Sequence, residues 1–166
     1  MKRVFITGYS RGIGLGIRNE FAADYKIVGG SRSENCDISK NYDHVLRAIM
    51  SCDIFVNNAY VPNVQSQLLT DVYEKWKYED KIIVNIGSEL VNIPIGKPDH
   101  PHAEIRNETY GRNKIIQDDF IKERNYEYCR KGYREGIRCK LTNLKLFYVL
   151  NAFTSKYDKR LFLKLS

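Results

Sequence analysis

Short apolar runs and amphipathic stretches alternate along the chain, and their order predicts its elements. "KRVFIT" is rich in β-branched and aromatic residues and stops at Gly8, so it predicts a buried strand ending near Thr7. After the loop Gly8 to Gly14, the residues Ile13, Ile17, Phe21 and Ala22 recur at helical spacing, and "IVGG" follows as a second short strand. Val45, Leu46, Ile49 and Met50 predict the next helix and "CDIFVNNA" the next strand. Val64, Leu68, Leu69, Val72 and Trp76 form a helical stripe, then "KIIVNIGS" reads as a strand. Ile115, Ile116, Phe120 and Ile121 fit a later helix, and "IRCKLTNLKL" a last core strand. Strands this apolar, interleaved with helices, imply a parallel sheet covered on both faces and joined by right-handed crossovers.

Composition agrees with a folded core. The 166 residues are 43% hydrophobic and 12% aromatic, the size of one globular domain spanning 1–166. No apolar run is long enough to cross a bilayer, and "MKRVFITG" is too short for a signal-peptide core, so a soluble, cytoplasmic protein is expected. Cys36, Cys52, Cys129 and Cys139 form no CxxC pair and none stands at metal-ligand spacing from His100 or His102, so neither disulfides nor a bound metal is expected. The formal charge of +7 is unevenly placed. Residues 130–166 carry 10 basic and 2 acidic side chains, leaving 17 basic and 18 acidic for the rest. That basic segment is either a solvated polar face or an attraction for a phosphorylated ligand or acidic partner; nucleic acid is not the expected one.

The chemistry starts at "TGYSRGIG". Gly8, Gly12 and Gly14 stand where a strand gives way to a helix, where glycine permits a tight turn and lets the backbone approach a pyrophosphate at the helix N-terminus. These residues resemble the short-chain dehydrogenase/reductase family, whose TGxxxGxG pattern is matched by Thr7, Gly8, Gly12 and Gly14. Further along, "CDIS" is similar to the family's adenine-binding segment at Asp37 and Ile38. "NNAY", Asn57 to Tyr60, resembles its NNAG signature, except that Tyr60 stands where glycine is expected. "IVNIGS" resembles the strand that delivers a catalytic serine, here Ser88, and "YGRNK" supplies YxxxK as Tyr110 and Lys114. The match spans residues 3 to about 144. It implies a doubly wound Rossmann-like α/β fold, with Thr7, Gly8, Ser10, Arg11, Gly12, Ile13, Gly14, Ser31, Arg32, Asp37, Ile38, Asn58, Ala59, Tyr110 and Lys114 touching a nicotinamide cofactor.

A second YxxxK, Tyr73 with Lys77, is present, and about one such match arises by chance in a chain with this many tyrosines and lysines. Order separates the two. Tyr73 precedes the Ser88 strand and lies on the apolar stripe, so it reads as structural, whereas Tyr110 follows Ser88 and opens the next helix. Tyr and Lys four apart share a helix face, so Lys114 can lower the phenol pKa from its reference near 10. The resemblance then implies that Ser88 stabilises a substrate carbonyl oxygen, Tyr110 moves the proton and Lys114 holds the nicotinamide ribose. Asn63 is the candidate for the family's fourth residue, an asparagine that orders a water near the lysine; a helix cap or turn is the alternative reading.

An acidic residue after the second strand would favour NAD(H), but the strand ends "GGSRS", and Arg32 with Arg11 suits a 2′-phosphate, so NADP(H) is favoured. The chain is short for the family and lacks the Pro-Gly loop and a full C-terminal substrate lid. The loop with Pro94, Pro98 and Pro101 offers a substitute wall, and its His100 and His102 either meet substrate or lie at the surface. Two functions follow: an NADP(H)-dependent oxidoreductase acting on a small carbonyl or alcohol, or a non-catalytic NADP(H)-binding sensor or scaffold using the basic C-terminus. A dimer or tetramer formed through the Val64–Trp76 helix and the helix after Tyr110 is also expected.

Overall fold

A computed structural model describes residues 1–93, 108–132 and 136–146. Its elements run β1 (Arg3–Ile6), α1 (Gly12–Phe21), β2 (Lys26–Ile27), α2 (Tyr42–Met50), β3 (Ile54–Asn57), α3 (Val64–Trp76), β4 (Ile82–Ser88), α4 (Thr109–Glu127) and β5 (Lys140–Leu146). The five strands form one sheet in the order β2-β1-β3-β4-β5, and every pairing is parallel. Each apolar run read from the sequence becomes an element. β2 is the shortest because its run ends in Gly29 and Gly30, yet it stays beside β1 through the Val28 N–H to the Val4 carbonyl (2.8 Å) and an isolated bridge of Thr7 with Gly30.

Strand alternation sorts the core into two layers. Val4, Ile6, Ile54, Val56, Val84 and Ile86 pack on the face taken by Ile17 of α1. Phe5, Phe55, Ile83 and Leu141 point the other way, against Val45 and Ile49 of α2, Leu68, Leu69, Val72 and Trp76 of α3, and Ile121 of α4. Helices therefore cover both faces, which is the doubly wound arrangement. Phe55 has no exposed surface, so truncating it to alanine costs about 3–5 kcal/mol.

The α3 stripe expected to support self-association is spent inside the chain. Leu68, Val72 and Trp76 are at most 1% exposed, because the helix lies flat on the β3 side of the sheet. Tyr73 joins the same core and meets Phe120 edge-on at 5.6 Å. Among the described residues no helix is long and apolar enough to cross a membrane. The proline loop with His100 and His102, and the greater part of the basic segment, lie outside the described residues.

Candidate functional site

The turn from β1 into α1 is tied to the end of β3 by the side chains of Thr7 and Asn58, which bond to backbone. The Thr7 hydroxyl donates to the Val56 carbonyl (3.3 Å) and accepts the backbone N–H groups of Asn58 and Ala59 (both 2.9 Å). The Asn58 amide donates in return to the Thr7 carbonyl at 2.9 Å. This clamp leaves no room beside Gly14, where a Cβ would lie 2.3 Å from the Gly8 carbonyl oxygen, and Gly8 itself has φ +68°. Beyond Gly12 the space is open. The first turn of α1 holds no acidic residue and Arg11 gives no side-chain cap, so its N–H groups are left for an anion.

That turn forms one wall of a cavity of about 640 Å³. Of the expected cofactor residues, Gly8, Ser10, Arg11, Gly12, Ser31, Arg32, Asp37, Ile38, Asn58 and Ala59 line it. Thr7, Ile13, Gly14, Tyr110 and Lys114 are absent from the lining, and Thr7 and Gly14 are buried beneath the turn. Ser33, Cys36, Tyr60 and Val61 also line it: Tyr60 is the departure from the NNAG signature, Cys36 opens "CDIS" and Ser33 ends "GGSRS", whereas Val61 stands beside "NNAY" and carries no signal of its own. A second cavity of about 670 Å³ shares Arg32, Asp37, Tyr60 and Val61 and extends to Lys40 and Pro62.

Charge on the cavity rim is partly spoken for. Arg11 and Arg32 are exposed. Ser31, by contrast, gives both its N–H (3.1 Å) and its hydroxyl (2.9 Å) to the Glu34 carboxylate, whose other oxygen accepts from the Tyr9 hydroxyl (2.8 Å). The Tyr9 bond, then the Ser31 bond, hold Glu34 below the usual carboxylate range. Asp37 turns back on its own chain, accepting the Ser39 hydroxyl (2.6 Å) and N–H (2.9 Å), which lowers its pKa.

At the far end of the same sheet edge, Ser88 closes β4 and is 2% exposed, its Oγ accepting the Leu90 N–H at 3.3 Å. Tyr110 and Lys114 lie one turn apart on α4. The Tyr110 ring meets Tyr60 edge-on at 4.8 Å, and the Lys114 ammonium sits 5.6 Å from the Tyr110 centroid and 5.8 Å from that of Tyr60. Lys114 is 3% exposed. Its Nζ donates to the Ile86 carbonyl (2.7 Å), to Gln65 Oε1 (2.9 Å) and, at 3.5 Å, to Gln117 Oε1. Burial without a carboxylate partner among these acceptors pulls the lysine from 10.5 to about 7.

Asn63 is exposed at the start of α3 with φ +62°, and its backbone N–H donates to Asn113 Oδ1 at 2.8 Å. The α3 side chain on Lys114 is that of Gln65. Gln65 and Gln117 were not singled out from the sequence, although both interrupt apolar helix faces: Gln65 precedes Leu68 and Leu69 by three and four residues, and Gln117 precedes Ile121 by four.

No family model and no curated protein matches the sequence. Solved structures do. The chain is similar to the 3-alpha-hydroxysteroid dehydrogenase of Pseudomonas sp. B-0831 complexed with NADH, at 18% identity and a TM-score of 0.66, covering 95% of this chain and 78% of that one. A Burkholderia cenocepacia J2315 short chain dehydrogenase in complex with NADP gives 12% identity and a TM-score of 0.62 over 95% and 78% of the two chains. A short-chain dehydrogenase/reductase from Vibrio parahaemolyticus gives 16% and 0.62 over 94% and 83%. The fold of this chain is therefore that of the short-chain dehydrogenase/reductases.

Proposed function

We propose that the chain is a nicotinamide-dependent oxidoreductase that uses NADP(H) to interconvert a small carbonyl compound and its alcohol. One observation supports the reading: Tyr60 lines the cavity above the glycine turn and packs edge-on against Tyr110, so a residue of the cavity wall also touches the Tyr–Lys pair. The residues fit the cofactor. A diphosphate is met by the free N–H groups at the start of α1, and Arg11 and Arg32 line the cavity where a 2′-phosphate would enter. With Ser31 engaged by Glu34, those two guanidinium groups carry the preference for NADP(H). Asp37, Ile38, Asn58 and Ala59 line the same cavity and would bound the adenosine side.

When bound, the nicotinamide supplies or accepts the hydride. Tyr110 gives the carbonyl oxygen its proton in reduction and removes it in oxidation. Ser88, buried at the strand end, offers a hydroxyl to the same oxygen and stabilises the charge that gathers there. Lys114 stands behind both tyrosine rings as a cation whose protonation bears on the neighbouring phenol.

Fluorescence titration with NADPH and NADH, followed by NADPH oxidation against aldehydes, ketones and quinones, tests this. Tight NADPH binding with turnover on at least one carbonyl is expected. No binding of either nucleotide overturns the reading. Binding without turnover across the panel replaces it with a sensor or scaffold, a function also compatible with a lysine whose hydrogen bonds are given to protein acceptors.

A further inference from the structure

We propose that Gln65 and Gln117 are positioning residues for Lys114, forming with the Ile86 carbonyl a socket of neutral acceptors that fixes the ammonium behind Tyr110 and sets its protonation. The sheet supplies the foundation. Parallel register places Asn57, Asn85 and Asn143 side by side across β3, β4 and β5, two residues after the apolar rung of Phe55, Ile83 and Leu141. The three asparagines bond along that rung: Asn57 Nδ2 donates to Asn85 Oδ1 (2.9 Å) and Asn85 Nδ2 to Asn143 Oδ1 (3.0 Å).

Both glutamines are locked onto this rung. Gln65 has no exposed surface; its Nε2 donates to the Asn57 carbonyl (3.0 Å) while its own backbone carbonyl accepts from Asn57 Nδ2 (3.1 Å). That reciprocal pair leaves Gln65 Oε1 as the atom turned to Lys114. Gln117 is 1% exposed, accepts from Asn85 Nδ2 at 3.1 Å and donates to Ser66 Oγ at 3.1 Å and to Gln65 Oε1 at 3.3 Å. With both amide nitrogens committed as donors, the two oxygens are fixed as acceptors.

The groups facing Lys114 from each packed element explain why the socket decides its charge. Tyr60 and Tyr110 face it from the loop after β3 and from α4, Gln65 from α3 and the Ile86 carbonyl from β4. Asp118, the buried carboxylate on α4, is held by Asn143 (2.9 Å) and by Lys122 (2.7 Å). Neutral dipoles stabilise the ammonium less than an anion would, so exchanging one amide for a carboxylate must move the equilibrium. That Lys114 serves a redox step rests on the function proposed above; that the glutamines set its protonation does not.

The test is an NMR titration of the lysine side chains labelled at Cε and Nζ, with Lys114 assigned by its loss in Lys114→Met, on wild type, Gln65→Glu, Gln117→Glu and Gln65→Met. Amide spectra establish that each variant is folded. Lys114 is expected to titrate well below the other lysines in wild type, to rise by more than about one pKa unit, a tenfold change in its acid constant, in either Glu variant, and to fall in Gln65→Met. Lys114 titrating with the surface lysines in wild type, or unmoved in the folded Glu variants, overturns the proposal. On a reducible carbonyl, the pH profile of kcat should follow the NMR shift. A moved titration with no turnover in wild type leaves the socket standing and removes the oxidoreductase reading; turnover with an unmoved titration does the reverse.

Discussion

The glycine turn and the surroundings of Lys114 are two ends of the candidate site built on opposite principles. At the glycine turn the decisive groups are main-chain N–H groups and empty space: no Cβ fits at Gly14, and Thr7 and Asn58 bind backbone. At Lys114 they are side-chain amides from three strands and two helices, joined across separations of 28 to 58 residues. A backbone site needs a local sequence of small residues; a side-chain site needs the sheet to be in register first. The first end should therefore fail through sterics, and the second through charge.

The largest effect is expected at the backbone end. Gly14→Val drives a branched side chain into the Gly8 carbonyl and should destabilise the chain by about 3 kcal/mol, with the proposed nucleotide site lost alongside. For a chain of this length that is about 10 °C in Tm, read by thermal unfolding. An unchanged Tm would break the contrast at its first term.

At the other end the effect depends on pH. Lys114 is depressed to about 7 in the native state and returns to its ordinary value of 10.5 on unfolding, so the unfolded chain binds more protons in that window. Stability from this group therefore rises with pH, by about 2 kcal/mol between about pH 7 and 9, and Lys114→Met should lack that slope. Denaturant unfolding of both proteins across the range measures the difference. Parallel curves would mean the ammonium is already as well stabilised inside as in water.

Smaller effects separate the cations on the rim. Arg32→Ala should weaken NADPH by about tenfold and leave NADH nearly unchanged, as measured by fluorescence titration. Glu34→Gln weakens the hold on the Ser31 donors and removes a negative charge from the rim, so NADPH should gain less than about fivefold over NADH. A gain shared equally by both nucleotides would place Glu34 away from the 2′-phosphate.

The same contrast explains what the sequence made legible. Strand and helix positions and the glycine turn follow from local patterns, as do Ser88 at the end of β4 and Tyr110 at the start of α4. Tyr73 was separable from Tyr110 because chain order is also local information. The amide network was not legible, since Asn57, Asn85 and Asn143 read singly as polar interruptions and become a rung only through parallel register. The family resemblance points to Asn63 as the residue that orders a water near the lysine, whereas Gln65, two residues on, reaches Lys114 because it lies on the buried side of α3. The use of the α3 stripe was not legible for a related reason: a helical stripe shows that a face is apolar, and the chain's own sheet covers it.

If both ends serve one reaction, Tyr110→Phe separates cofactor binding from turnover. NADPH affinity and carbonyl reduction are measured on wild type and variant under the same conditions, with Tyr73→Phe as the control. NADPH is expected to bind wild type and Tyr110→Phe alike, with turnover falling by about 10²–10⁴ in Tyr110→Phe and persisting in the folded control. Full turnover by Tyr110→Phe on any substrate that wild type reduces would contradict it.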